Sequence, residues 1–322
     1  MAGTMRGLWL ENKQLSLRKN LLIPDVVAGE ALIRVRLAGI CSTDLEMLNG
    51  YYPFRGVPGH EFVGEVVAAP EQEAWLGKRV NGEISIDCGE CASCLAGMPG
   101  HCENRKTLGI FDYDGVFAEY VRLPIRNLHA VPATVSDEQA VFTELLAAAL
   151  QVQQQVRVRP QDQVVVVGAG RLGILMAQCL KLTGCDLKVI VRRPEPAALL
   201  ATLGIESASA QEYRERSADI IIEATGNAEG LALAKRLVKP RGTIVLKSTY
   251  TGDVSLDLSR FVVDEITLVG SRCGPFEPAL RLLKLGMVSV EPLITGRYAL
   301  EDFESGYQEA LRPGSLKVLF EF

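Results

Sequence analysis

The chain has 322 residues, enough for two domains at roughly 100–200 residues each, with cores that need no disulfide or metal to hold them. Hydrophobic residues make up 48% and charged residues 23%, which excludes a disordered, collagen-like or coiled-coil protein. With 34 Lys and Arg against 39 Asp and Glu the net charge is −5, so no global basic field draws nucleic acid and no nucleic-acid partner is expected.

The N-terminal Met-Ala-Gly-Thr-Met-Arg carries no apolar signal stretch. The most apolar run, Val164–Leu180, is broken by Arg171 and three glycines, so no membrane span is expected and the cytoplasm is the default location. In a reducing compartment the eight cysteines read as metal ligands or core residues rather than disulfides.

The first 135 residues predict strands with many turns: Ala31–Ala38, Phe62–Ala68 and Phe117–Leu123 alternate apolar and polar side chains. Cys41 lies in Gly39-Ile-Cys-Ser-Thr-Asp, and His60 and Glu61 follow in Gly59-His-Glu-Phe. One thiolate and one imidazole on neighbouring segments can grip a zinc and leave a coordination position open, with Glu61 completing the shell or standing behind it. Spacing alone leaves the plainer reading of two core residues open. Further on, Cys88, Cys91, Cys94 and Cys102 place four thiols within fifteen residues, a spacing suited to one tetrahedral, closed and therefore structural zinc. His129, in Asn127-Leu-His-Ala, has no evident partner, and Cys179, Cys185 and Cys273 read as small core residues.

Ser136 with Gln139 predicts a helix start, and short apolar strands then alternate with helices: Val164–Val167, Leu187–Val191, Ile220–Glu223, Thr243–Leu246 and Ile266–Val269. That pattern predicts an α/β unit with a doubly wound parallel sheet. Gly168, Gly170 and Gly173 stand between the first strand and its helix as G-x-G-x-x-G, with Arg171 and Leu172 inside the motif, and predict a dinucleotide diphosphate site. No acid tips the next strand; Arg192 and Arg193 follow it instead, which suits a 2′-phosphate and favours NADP(H) over NAD(H). The tail Leu316–Phe322 alternates like a strand that could rejoin the first part.

Taken together, Gly39-Ile-Cys-Ser-Thr-Asp, Gly59-His-Glu-Phe-Val-Gly-Glu-Val, the four-cysteine lobe, Gly115-Val-Phe-Ala-Glu-Tyr-Val and the glycine turn resemble the zinc-dependent medium-chain dehydrogenase/reductase superfamily, nearest its polyol, threonine and glucose dehydrogenase branch. The resemblance implies a β-rich GroES-like catalytic domain over 1–136 and 273–322, with a zinc lobe at about 86–104, and a Rossmann domain over 137–272. It implies two Zn2+ per chain: a catalytic one on Cys41 and His60, with Glu61 or Glu144 approaching or ligating it, and a structural one on the four clustered cysteines. Glu144 lies in Phe-Thr-Glu-Leu-Leu, where the family usually has proline at the position of Leu145. Thr43 is expected to relay the alcohol proton, while Glu46 stands where a relay histidine is common. Lys317 matches a basic position near the cofactor diphosphate, and Arg272 one near the nicotinamide side. The implied activity is hydride transfer between an alcohol, polyol or carbonyl substrate and NADP(H), in a homodimer or homotetramer. Leu45, Met47, Tyr51, Phe54 and Phe111 are expected along the substrate pocket. The alternative is a non-catalytic NADP(H)-binding sensor or scaffold that keeps only the structural zinc.

Overall fold

A computed structural model describes residues 3–250 and 254–322. In chain order, β1 (Thr4–Glu11), β2 (Gln14–Leu22) and β3 (Glu30–Gly39) precede the short helix α1 (Ser42–Leu48). Strands β4 (Glu61–Ala68), β5 (Arg79–Gly82) and β6 (Ser85–Ile86), helix α2 (Ala92–Leu95), and strands β7 (Lys106–Thr107), β8 (Tyr120–Pro124) and β9 (Leu128–Ala130) follow. Helices α3 (Asp137–Val141) and α4 (Thr143–Gln155) lead into β10 (Gln163–Val167), α5 (Arg171–Lys181), β11 (Asp186–Ile190), α6 (Pro194–Thr202) and β12 (Glu206–Ala208). Then come β13 (Ala218–Glu223), α7 (Ala228–Leu237), β14 (Val238–Leu246), α8 (Leu258–Val263), β15 (Thr267–Gly270), α9 (Phe276–Lys284), β16 (Ile294–Ala299), α10 (Phe303–Leu311) and β17 (Lys317–Glu321).

The chain divides into two compact units, residues 1–144 with 279–322 and residues 145–278. The boundaries expected at 136/137 and 272/273 fall several residues short of these. Ser136 does cap α3 through a reciprocal pair with Gln139, but that helix ends at Val141 and belongs to the first unit.

The first unit is built on a sheet ordered β16-β17-β3-β4-β5-β9, with β8 also paired to β3. The C-terminal strand does rejoin the first part: β17 runs antiparallel to β3, with Leu319 opposite Gly39. Gly39 is also opposite Glu61 across the β3–β4 pair. One register therefore gathers the exit of β3, the entry of β4 and the start of β17. Phe117 and Phe320 meet edge to face at 5.2 Å in the core beneath.

The second unit is an all-parallel sheet ordered β12-β11-β10-β13-β14-β15, as the alternating pattern predicted. Val165 and Val167 pack with Leu231, Ala234 and Leu237 of α7. Val164 and Val166, which alternate to the other face, are fully buried as well. Both faces are covered, which is why these strands are apolar without interruption. The order reverses between β10 and β13, and in sheets of this kind ligands bind outside the carboxyl ends of the strands at that point. No helix among the described residues is long and apolar enough to cross a membrane.

Candidate active site

Among the described residues two groups can hold a metal ion, and both lie in the first unit. The first is the four-cysteine cluster. Its lobe is closed at the base by the antiparallel pair β6–β7. The sulfurs of Cys91 and Cys94 are 3.4 Å apart, those of Cys88 and Cys102 3.5 Å, and those of Cys91 and Cys102 3.9 Å. A disulfide needs about 2.05 Å. A regular tetrahedron of Zn–S bonds of about 2.3 Å has edges of about 3.8 Å, so the four sulfurs stand close to zinc spacing. Backbone N–H groups of Glu90 and Cys91 hold the Cys88 thiol down to about 6, while desolvation and then Cys91 push Cys94 up to about 12. Four thiolates this close repel one another, and only a bound cation lets all of them ionise together.

The second group is Cys41, His60 and Glu61, whose ligand atoms all lie within 4.8 Å of one another. Cys41 is the N-cap of α1, and Asp44, three residues on, accepts the Cys41 N–H at 2.8 Å. The other oxygen of Asp44 stands 3.4 Å from Nδ1 of the buried His60. Asp44 thus anchors the backbone of Cys41 and stands beside the imidazole, close to the carboxylate–histidine arrangement common behind metal ligands, although Asp44 Oδ1 and His60 Nδ1 make no hydrogen bond at this distance. Burial works against a charge on His60, but the Asp44 carboxylate, followed by Cys41, outweighs it and holds the imidazole well above its usual range. The cluster attracts positive charge. The pattern Cys-x-x-Asp at a helix start was the sequence signal for Asp44, and motif reading passed over it.

Glu61 is fully buried, and one of its oxygens pairs with the ammonium of Lys317. Lys317 also donates to the Ile40 carbonyl at 3.3 Å, and its ammonium lies 5.7 Å from the centre of the Phe142 ring. These contacts compensate an ammonium that is itself fully buried. The expectation that Lys317 serves a diphosphate is therefore corrected: the β17–β3–β4 register turns it inward onto Glu61. A side chain at Gly39 would meet Glu61 Oε2 at 2.8 Å and Lys317 Cδ at 3.2 Å, so this exit from β3 has room only for glycine. The second Glu61 oxygen, Oε1, is buried without a hydrogen-bond partner. A soft sulfur, an imidazole and an orphaned carboxylate oxygen within 4.8 Å of one another fit a zinc ion.

Thr43 Oγ1 stands 4.0 Å from Cys41 Sγ, and Glu46 is exposed on the same helix, three residues further. Glu144, half-buried in the first turn of α4, is not a member of the ligand trio. Thr143 donates to the Ala140 carbonyl at 2.7 Å and fixes that helix start, and Leu145 is a buried residue of the first turn, where proline is equally tolerated. Met47, expected along a pocket, is instead core with Leu10 and Ile110, and Phe54 packs against the same cluster; Tyr51 and Phe111 are exposed. His129 does have a partner, Glu83 Oε1 at 2.9 Å. Cys179 is buried, and burial pushes its thiol up to about 12, which leaves it inert; Cys185 and Cys273 are half-buried. Replacing Asp44 by Asn should leave α1 capped but weaken zinc retention at Cys41 and His60 by about 10- to 100-fold in chelator competition, and unchanged retention would contradict its role.

In the second unit, Gly168 adopts φ +111°, open to glycine. A side chain on Gly173 would fall 2.0 Å from the Gly168 carbonyl oxygen, whereas nothing lies within 4 Å of the space beside Gly170. The turn is thus tight at both ends and vacant where a diphosphate approaches, at the N-terminus of the eleven-residue α5. Arg171 and Leu172 are half-buried in the first turn of that helix. Arg192 and Arg193 are exposed past β11, with Arg193 as the N-cap of α6 and Arg192 at 3.2 Å from the exposed Glu229. Arg272 is exposed past β15, and its carbonyl accepts from the buried Lys247 ammonium, which also reaches Ser271 Oγ at 3.3 Å.

Residues 27–133 match the alcohol dehydrogenase GroES-like domain, and residues 140–322 match the glucose dehydrogenase C-terminus. The L-galactonate-5-dehydrogenase of Escherichia coli (strain K12) is 29% identical over 325 residues, covering 95% of each chain. Among solved structures, a protein of Sinorhizobium meliloti 1021 assigned as a zinc-binding dehydrogenase and bound to NADP aligns with a TM-score of 0.92 at 27% identity, over 99% of this chain and 100% of that one. A short chain alcohol dehydrogenase of Escherichia coli CFT073 complexed with NADH aligns equally well, with a TM-score of 0.92 at 28% identity and coverage of 99% and 100%. The chain belongs to the zinc-type medium-chain dehydrogenase/reductase superfamily.

Proposed function

We propose that the protein interconverts an alcohol or polyol CH–OH group and its carbonyl with NADP(H) as the preferred cofactor, using a catalytic zinc on Cys41, His60 and Glu61 and a structural zinc on Cys88, Cys91, Cys94 and Cys102. The observation that carries this reading is the trio of a half-buried Cys41 with the buried His60 and Glu61, the latter with an orphaned oxygen. A non-catalytic scaffold has no use for a thiol, a buried imidazole and a buried carboxylate gathered beside Asp44 and Lys317.

When bound, zinc supplies Lewis acidity at the substrate oxygen and the nicotinamide ring takes or gives the hydride. Asp44 stands 3.4 Å behind His60 on the side away from the ligand position, and Lys317 holds Glu61 in place. The Thr43 hydroxyl relays the proton, accepting it from the substrate hydroxyl as it hands its own onward. Glu46, one helical turn along and exposed, passes it to solvent in place of the usual histidine. The glycine turn with Arg171 and Leu172 seats the diphosphate, Arg192 and Arg193 receive the 2′-phosphate, and Arg272 stands at the nicotinamide side. Relatives bind NADP in one case and NADH in another, so the preference rests on the two arginines.

A homo-oligomer is part of the same proposal. Strand β15 is an open sheet edge with Leu268 exposed, and Val262 and Val263 of α8 are 76% and 81% exposed. An edge of this kind pairs with its own copy about a twofold axis. A cytoplasmic setting suits the eight free thiols. The test is a panel of alcohols, polyols and sugars run with NADP and with NAD, following the reduced cofactor. Turnover of at least one CH–OH substrate is expected; none across the panel, with zinc and cofactor bound, would favour the scaffold reading.

A further inference from the structure

Along the carboxyl ends of β13 and β14 lies a buried polar group that the chemistry above leaves unused. Glu223, the last residue of β13, is fully buried. Its Oε1 accepts from the Thr225 N–H at 2.6 Å and from the Thr225 hydroxyl, and its Oε2 accepts from the Tyr250 hydroxyl. A carboxyl taken out of water is costly unless its oxygens are bonded, and here donors from two separate loops satisfy both. Burial, followed by Glu223, raises the Tyr250 phenol far above its usual range, so Tyr250 remains the donor.

The loops tied in this way are Ala224–Asn227, after β13, and Lys247–Tyr250, after β14. They are packed to contact: a side chain on Gly226 would reach Ser248 Cβ and the Thr249 carbonyl oxygen at 3.5 Å. The first turn of α7 seats directly on the carboxyl, since a side chain on Gly230 would fall 1.9 Å from Thr225 Oγ1 and 2.6 Å from Glu223 Oε1. On the other side, a side chain on Gly168 would lie 3.0 Å from Ala224 and from Thr225. The Ala224–Asn227 turn and the glycine turn therefore stand side by side where the strand order reverses, the place of the ligand crevice in sheets of this kind. A dinucleotide lies across such a crevice. Its adenosine end belongs to the β10–β11–β12 side, where Arg192 and Arg193 follow β11, which leaves the nicotinamide half to the β13–β14–β15 side.

We propose that the Glu223–Tyr250 clasp is the positioning device for the nicotinamide half of the cofactor: it pins the Ala224–Asn227 turn to the Lys247–Tyr250 loop and so fixes the turn on which that half rests. The inference rests on the dinucleotide-binding reading above. Both side chains act through Thr225 and the backbone and touch no reacting atom. The experiment is titration of wild type, Tyr250→Phe and Glu223→Gln with NADPH, with NADH and with 2′,5′-ADP, which carries the adenosine end alone. Tyr250→Phe should raise the Kd for NADPH about tenfold, as expected for loss of a hydrogen bond to a charged group, and change that for 2′,5′-ADP by less than about twofold. Glu223→Gln, which keeps the shape and weakens both sets of bonds, should move the same ratio in the same direction. An unchanged NADPH Kd in Tyr250→Phe overturns the clasp, and so does an equal loss of both ligands, which would make it a support of the whole unit. Wild type that binds neither NADPH nor NADH overturns the dinucleotide reading itself, and the clasp with it.

Discussion

Cys41→Ser should lower turnover at least about a thousandfold while the protein stays folded. The Lewis acid contributes several kcal/mol at the transition state, and each ~1.4 kcal/mol is a factor of about ten in rate. Serine offers a neutral, hard oxygen in place of a soft thiolate, and only an imidazole and a carboxylate remain. The fold has little reason to suffer. Cys41 is the N-cap of α1, and serine is among the best residues for that position. Zinc content should fall from about two per chain to about one, since the lobe cysteines are untouched. Turnover within about tenfold of wild type would contradict the ligand assignment.

The second large effect concerns the cofactor. Replacing Arg192 and Arg193 together by Gln should lower kcat/KM with NADP about a hundredfold and leave that with NAD nearly unchanged. A guanidinium bonded to phosphate contributes about 1.5–3 kcal/mol when well formed, and less at a site this exposed, so two together reach roughly 2.7 kcal/mol. The competing pair of Arg192 with Glu229 is a surface contact at 3.2 Å between two exposed side chains. Such a pair is given up at little cost when a phosphate arrives. Equal or better rates of wild type with NAD would overturn the arginine argument.

Strands β3, β4, β10, β11, β13 and β14 were legible because each is patterned for its own surroundings. Val164–Val167 is apolar throughout since both faces of its sheet are covered, and Ala31–Ala38 alternates since one face is wetter. The four-cysteine lobe was legible because its thiols are close in sequence and its geometry is local. Legibility failed where partners are far apart along the chain. Lys317 and Glu61 are 256 residues apart, and only the β17–β3–β4 register turns the lysine inward. His129 finds Glu83 across 46 residues through the pairing of β5 with β9. The start of α3 was legible from its capping box, which says nothing of which core the helix joins. Met47 follows Thr43 by one helical turn, yet the α1 face that carries it is turned to Leu10 and Ile110. The clasp of Glu223 and Tyr250 was invisible in the sequence, since an acid ending an apolar strand and an aromatic residue in a later loop carry no shared signature.

The most direct measurement is anomalous X-ray diffraction at the zinc edge from crystals of the fully metal-loaded protein. Two peaks per chain are expected. One should lie about 2.3 Å from Cys41 Sγ and about 2.0–2.1 Å from a ring nitrogen of His60, with Glu61 beside it, and the other at the centre of the four lobe sulfurs. A single peak, in the lobe alone, would contradict the assignment of Cys41 and His60 as zinc ligands.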